Sequence, residues 1–179
     1  MDRLPFFALY LTAMALPPPS QPPPPPKGQD WKLRSLKRGD RDAAFRLLAA
    51  DGWQVPANEQ ELAISWVVQH PEMESFVAHD AAAFSRLFGM ITMSHRPQLR
   101  LGGRVACIDL FLVAPDQRGK GIGHALLAQS LRRAEALGCK RMELYLSQQR
   151  GDHHAFFEDA GFVKNDNEVY VRPVSPGKP

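Results

Sequence analysis

The chain has 179 residues, 44% of them hydrophobic, and a formal net charge of +3. That length holds one domain with a proper core and is too short for two ordinary ones. So mild a charge argues against a nucleic-acid binder, which needs a concentrated basic face, and suits an anionic small-molecule ligand.

The chain opens on a mostly apolar stretch, Pro5–Leu16, followed by a nearly pure proline run, Pro17–Pro26. Proline runs adopt extended polyproline II and cannot enter a helix or a central strand. Residues 1–28 are therefore expected to be a disordered proline-rich extension. Ala13-Met14-Ala15 has the small-x-small look of a cleavage site. Against a signal, the charges of Asp2 and Arg3 cancel and Pro5 interrupts the apolar run. The run is also short of the ~20 residues that span a bilayer. An over-extended start, with Met14 as the later one, is the alternative.

From residue 29 the pattern becomes that of a domain. Trp31 to Leu36 alternates with period two and predicts a strand. Asp40 is placed to cap a helix with Ala44, Leu47 and Leu48 at helical spacing, ended by Gly52. Asn58-Glu59-Gln60-Glu61 resembles a capping box opening a second helix through Leu62, Trp66 and Val67, which stops before Pro71. Ser75–His79 and Arg86–Ser94 read as strands joined by an alanine-rich turn, and Gly102-Gly103 turns the chain into a strand over Arg104–Val113. That strand is apolar on both faces apart from Asp109, so helices are expected to cover both sides of the sheet. A helix burying Leu127, Leu131 and Ala134 and leaving at Gly138 follows. Then come a strand over Arg141–Leu146, a short helix that Asp152 can cap, with Gly161 past its end, and a last strand over Glu168–Val171. Cys107 and Cys139 read as buried, reduced thiols of a cytoplasmic protein rather than a disulfide or a nucleophile. No metal-ligand spacing is present, because His153 and His154 are neighbours and do not converge on one ion.

The most informative segment is Arg118-Gly119-Lys120-Gly121-Ile122-Gly123, between the long strand and the helix. A glycine-rich turn opening a helix after a strand presents backbone N–H groups to an anion, and the helix dipole adds to the attraction. The alternating glycines do not make the dinucleotide fingerprint, and the Lys-Ser/Thr of a Walker loop is missing. The spacing that fits is Arg/Gln-x-x-Gly-x-Gly/Ala, at Arg118, Gly121 and Gly123, just after Val113-Ala114-Pro115. This run resembles motif A of the GNAT acyltransferase superfamily. Ala155 to Phe162, with its Gly161-Phe162 ending, is similar to the family's fourth helix, and the element order matches over residues 29–174, leaving 175–179 as a flexible tail.

The resemblance implies an α/β GNAT (acyl-CoA N-acyltransferase) fold, with a mixed central sheet of six to seven strands and about four helices. It implies an N-acetyltransferase that moves the acetyl group of acetyl-CoA to a primary amine by direct attack in a ternary complex. The partners are then acetyl-CoA and an amine acceptor, with no metal, nucleic acid or membrane; a homodimer is left open. Arg118, Gly119, Lys120, Gly121, Ile122 and Gly123 would hold the pyrophosphate, mainly through main chain. By resemblance, Leu112 and Val113 would line the pantetheine arm, with the Val113 N–H a candidate oxyanion donor. Asp109 corresponds to an acidic residue that many members use on the acceptor amine. Alternation would put it on the face of Phe111 and Val113, and a carboxylate in a buried strand must be paired or used. Asp152 stands where many members place a residue on the cofactor arm. The family's usual acid, a Tyr in the fourth helix, is replaced by Phe157, which can pack on the pantetheine but has no proton to give. The leaving thiolate would then take its proton from water, from His154 or from His153. The competing reading is a non-catalytic acetyl-CoA-binding sensor or regulatory module.

Overall fold

The computed structural model describes residues 30–146 and 151–165. The chain divides into two compact units, the larger spanning residues 21–147 and the smaller holding the described residues 151–165.

In the larger unit β1 (Trp31–Ser35) leads through a short 3-10 turn into α1 (Arg41–Ala50) and then α2 (Ala57–Gln69). β2 (Met73–Asp80), β3 (Leu87–Gln98) and β4 (Gly103–Val113) form an antiparallel meander. α3 (Ile122–Ala136) then crosses over to β5 (Cys139–Leu144), which pairs parallel to β4. The sheet order is β1-β2-β3-β4-β5. Among the described residues the sheet therefore has five strands rather than six to seven, and the expected strand Glu168–Val171 lies outside them. The extension 1–28 lies outside them too.

Both faces of the sheet are covered, as the two-sided apolar pattern of β4 required. Val77, Met90 and Leu112 pack with Ala44 and Leu47 of α1 and Ile64 of α2. On the other face Met93 and Ala106 meet Ala134 of α3. Gly89 is glycine because a Cβ there would lie 3.0 Å from Ile122 and Leu126 side chains of α3 and from the Leu112 carbonyl.

Two local expectations change. α2 starts at Ala57 with Pro56 at the N-cap and no side-chain cap, so Asn58 sits inside the first turn. Its core stripe is Ile64 at 4% exposure with Val67 and Val68 beside it, whereas Leu62 and Trp66 are 52% and 65% exposed. The segment carries two apolar stripes, and only packing selects one. Asp40 does occupy the N-cap position of α1, but its carboxylate makes no cap bond. It forms a two-pronged pair with Arg34, at 2.6 and 2.8 Å, and accepts the Lys37 N–H at 2.8 Å. Arg34 also donates to the Phe84 carbonyl at 3.1 Å, so one guanidinium ties β1 to the start of α1 and to the β2–β3 turn.

This pair sets an expected pH dependence. Burial raises the Asp40 carboxyl, but the Arg34 and Lys37 donors and charges outweigh it and hold the group below its ordinary value. A lowered folded-state pKa contributes stability that is present above the unfolded pKa and is lost as pH falls through the folded one. Asp40→Ala leaves the guanidinium unpaired and is expected to cost about 3 kcal/mol at neutral pH. In urea unfolding the midpoint should fall with the slope unchanged, and the gap to wild type should shrink in acid.

Candidate functional site

β4 carries the first half of the site. Along β3, Thr92 opposes Leu110 and Met93 opposes Ile108, so Asp109 is an extra residue in β4, a β-bulge. The slip changes which way Asp109 faces. Ser94 pairs with Cys107, and the Ser94 Oγ donates to Asp109 Oδ1 at 3.0 Å, which puts the carboxylate on the face of Cys107. Phe111 pairs with Ile91 and Val113 with Gly89, on the opposite, α3-side face. The expectation that Asp109 shares a face with Phe111 and Val113 is therefore overturned, because one inserted residue inverts the period-two alternation.

The bulge coincides with the end of pairing to β5. The parallel register runs from Arg104 opposite Cys139 to Ile108 opposite Leu144, and among the described residues Asp109–Val113 have no β5 partner. That segment keeps one main-chain edge clear of β5. Asp109 is exposed, yet the protein bulk around it raises its carboxyl above the ordinary value. The Ser94 hydroxyl and amide, the Arg96 charge and the Cys107 thiol pull the other way. Burial, with the Asp109 charge second, pushes the Cys107 thiol up to about 11, so it stays protonated at neutral pH. A protonated thiol is a poor nucleophile.

The second half is the loop that leaves β4. After a 3-10 turn, Pro115–Gln117, the chain passes through Gly119 at φ +75° and Gly121 at φ +76°, and α3 begins at Ile122. The left-handed backbone needs glycine at both positions. Gly121 is the N-cap and has no side chain to cap the helix, so the first-turn N–H groups are not satisfied in that way. A Cβ built on Gly119 or Gly121 would meet nothing within 4 Å. A cavity of about 740 Å³ borders both glycines, with Phe88, Arg86 and Lys120 on its wall. Glycine geometry, helix N-terminus and clear space together fit a bulky anion such as a pyrophosphate.

The cationic heads of the loop are engaged in holding it. Arg118 donates to the Val113 carbonyl at 3.3 Å and pairs with Asp51, at the end of α1, at 3.5 Å. Lys120 donates to the buried Gln117 at 2.9 Å. Ile122 is buried as the first residue of α3 and Leu112 is buried under α1 and α2, so these two can serve a ligand only through main chain. Gly123 follows inside the first turn of α3.

Asp152, His154 and Phe157 lie on α4 (Gly151–Asp159) of the smaller unit. The helix begins at Gly151, so Asp152 is inside its first turn rather than at the cap. Its far end is closed by a Schellman motif: Gly161, at φ +88°, donates to the Glu158 carbonyl and Phe162 to that of Phe157, both at 2.9 Å. The accompanying apolar contact is Phe157 against Phe162, edge-on at 5.4 Å, with Phe156 edge-on to Phe157 at 5.1 Å. The Gly-Phe ending read from the sequence is thus a helix stop. Ser94 and the bulge were missed. Ser94 was visible only as a hydroxyl in an apolar strand, and its place opposite the carboxylate depends on register.

Among the described residues no group of three His, Cys, Asp or Glu could hold a metal, and no helix is long and apolar enough to cross a membrane.

A sequence model of the acetyltransferase (GNAT) family matches residues 40–162. No protein of curated function matches the sequence. Among solved structures, an acetyltransferase from Trypanosoma brucei is 23% identical with a TM-score of 0.68, over 80% of this chain and 100% of that one. A transcriptional regulator from Bacillus halodurans is 24% identical with a TM-score of 0.71, over 79% and 99%. Glucosamine-6-phosphate N-acetyltransferase from Arabidopsis thaliana is 17% identical with a TM-score of 0.68, over 80% and 99%. At such identities these three bear on the fold alone.

Proposed function

The chain belongs to the acetyltransferase (GNAT) family, and from that premise we propose that it moves the acetyl group of acetyl-CoA to a primary amine by direct attack in a ternary complex. The observation that carries this reading is the β4 segment Asp109–Val113, which has no β5 partner among the described residues and leads through a 3-10 turn into the glycine loop. When bound, acetyl-CoA supplies the acetyl thioester. The N–H groups of residues 119–123 hold the pyrophosphate, while Arg118 and Lys120 brace the loop. Main chain at Leu112 and Val113 lies along the pantetheine arm as a neighbouring strand would, and the Val113 N–H donates to the acetyl oxygen. Asp109, whose carboxyl is raised above its ordinary value, accepts the proton whose loss makes the amine nucleophilic. The family resemblance would give α4 the remaining roles, with Asp152 on the arm, Phe157 against its end and His154 as a proton donor to the leaving sulfur. Cys107, held protonated, takes no acyl group.

The acceptor class stays wide: a sugar phosphate amine, as the name of the Arabidopsis protein indicates for that enzyme, is one member of it. Phe157, at the position of the family's usual acid, favours a second reading, an acetyl-CoA-binding module without turnover. The two separate in one assay. The full chain is incubated with acetyl-CoA and a panel of amines, peptides and amino sugars, with free thiol and acceptor mass followed together. The proposed activity gives thiol release matched by one added acetyl group on at least one amine. Binding of acetyl-CoA in calorimetry with no acceptor-dependent thiol release would sink the enzyme reading in favour of the module.

A further inference from the structure

We propose that Ser94 is a positioning residue for the Asp109 base, its hydroxyl fixing one carboxylate oxygen across the β4 bulge and leaving the other to the acceptor amine. The inference rests on the acetyl-transfer reading above. A bulge re-aims the side chain of the inserted residue, but a carboxylate on one extra residue still turns about its own bonds. Something must hold it. The Ser94 Oγ lies 3.0 Å from Oδ1, on the strand directly opposite the slip.

The other groups facing Asp109 do this less well. Arg96, also on β3, is drawn to Glu143 of β5 at 3.6 Å. Glu143 is further held by Arg141. The Cys107 thiol, on β4, is a weak donor. A guanidinium bound to Asp109 would keep it ionised and make it a poor base, since basicity falls with pKa. A neutral hydroxyl also draws the pKa down, but it adds no charge, and the carboxyl as a whole stays above its ordinary value. Ser94 thereby gives the base a set direction, while the protein bulk around the carboxyl keeps it basic.

The test uses the full chain with acetyl-CoA and an amine accepted in the panel above. Ser94→Ala is expected to lower kcat about tenfold, the scale of one hydrogen bond to a charged group. Removing a donor to the ionised form raises the Asp109 pKa. The acid limb of the pH–rate profile should therefore move to higher pH, and so should the Asp109 carboxyl resonance followed by carbon-13 NMR. Ser94→Thr, which keeps the hydroxyl, should restore both. In an Asp109→Asn background Ser94→Ala should cost nothing more. If Asp109→Asn is slow but Ser94→Ala keeps the wild-type rate or leaves the acid limb in place, the positioning role is overturned and the base stands. If Asp109→Asn itself turns over like wild type, the base reading fails and this inference with it.

Discussion

Asp109→Asn is expected to lower turnover by about 10²–10⁴-fold, the usual cost of losing a general base. The change is nearly isosteric, and the Ser94 Oγ keeps an oxygen to donate to at the 3.0 Å position. Affinity for acetyl-CoA should change little, because the glycine loop is a separate segment of the chain. The pH profile carries the sign. Asp109 must be ionised to accept a proton, so the wild-type rate rises with pH through a pKa displaced upward by the protein bulk around the carboxyl. The variant should lack that limb. Stability should move the other way. A carboxyl with a raised folded-state pKa binds more protons folded than unfolded, so its ionisation costs stability as pH rises. The Asn variant should therefore melt at or slightly above the wild-type temperature near neutral pH. A slow variant that also melts far lower would point to a structural carboxylate.

Gly121→Val is expected to weaken acetyl-CoA binding in calorimetry by at least tenfold, equivalent to about 1.4 kcal/mol. Two effects combine at this position. A β-branched residue at φ +76° is strained, at a cost of about 1–3 kcal/mol to the fold. Its side chain would also fill the clear space beside the loop, where a Cβ now meets nothing within 4 Å. Gly121→Asn separates the two. Asn tolerates the left-handed conformation, so the fold should be nearly unaffected while the side chain still occupies the cradle. A well-folded Asn variant that binds acetyl-CoA like wild type would remove this loop from the cofactor site.

What could be determined from the sequence was whatever depends on near neighbours in the chain. β1, α1 and β4 lie within a residue or two of their expected bounds because apolar period and glycine punctuation are local signals. The turn at residues 118–123 was equally legible as a glycine-rich turn between a strand and a helix, and it is there that Gly119 and Gly121 take left-handed backbone. The Schellman ending at Gly161-Phe162 belongs to the same class.

Tertiary structure decided the points that set residues far apart in the chain against each other. Whether α2 buries Ile64 or Leu62 and Trp66 depends on the helix's rotation against β2 and α1, not on which of its stripes is more apolar. Asp40 turns from a cap into the partner of Arg34, six residues before it, whose guanidinium is also held by the distant Phe84 carbonyl. Asp109 is the clearest instance. Its charge marked it in the sequence, but its face, its Ser94 partner and its coincidence with the end of β5 pairing all follow from strand register. Register is a relation between strands, and a one-residue slip inverts every side chain beyond it while leaving the sequence of β4 unchanged.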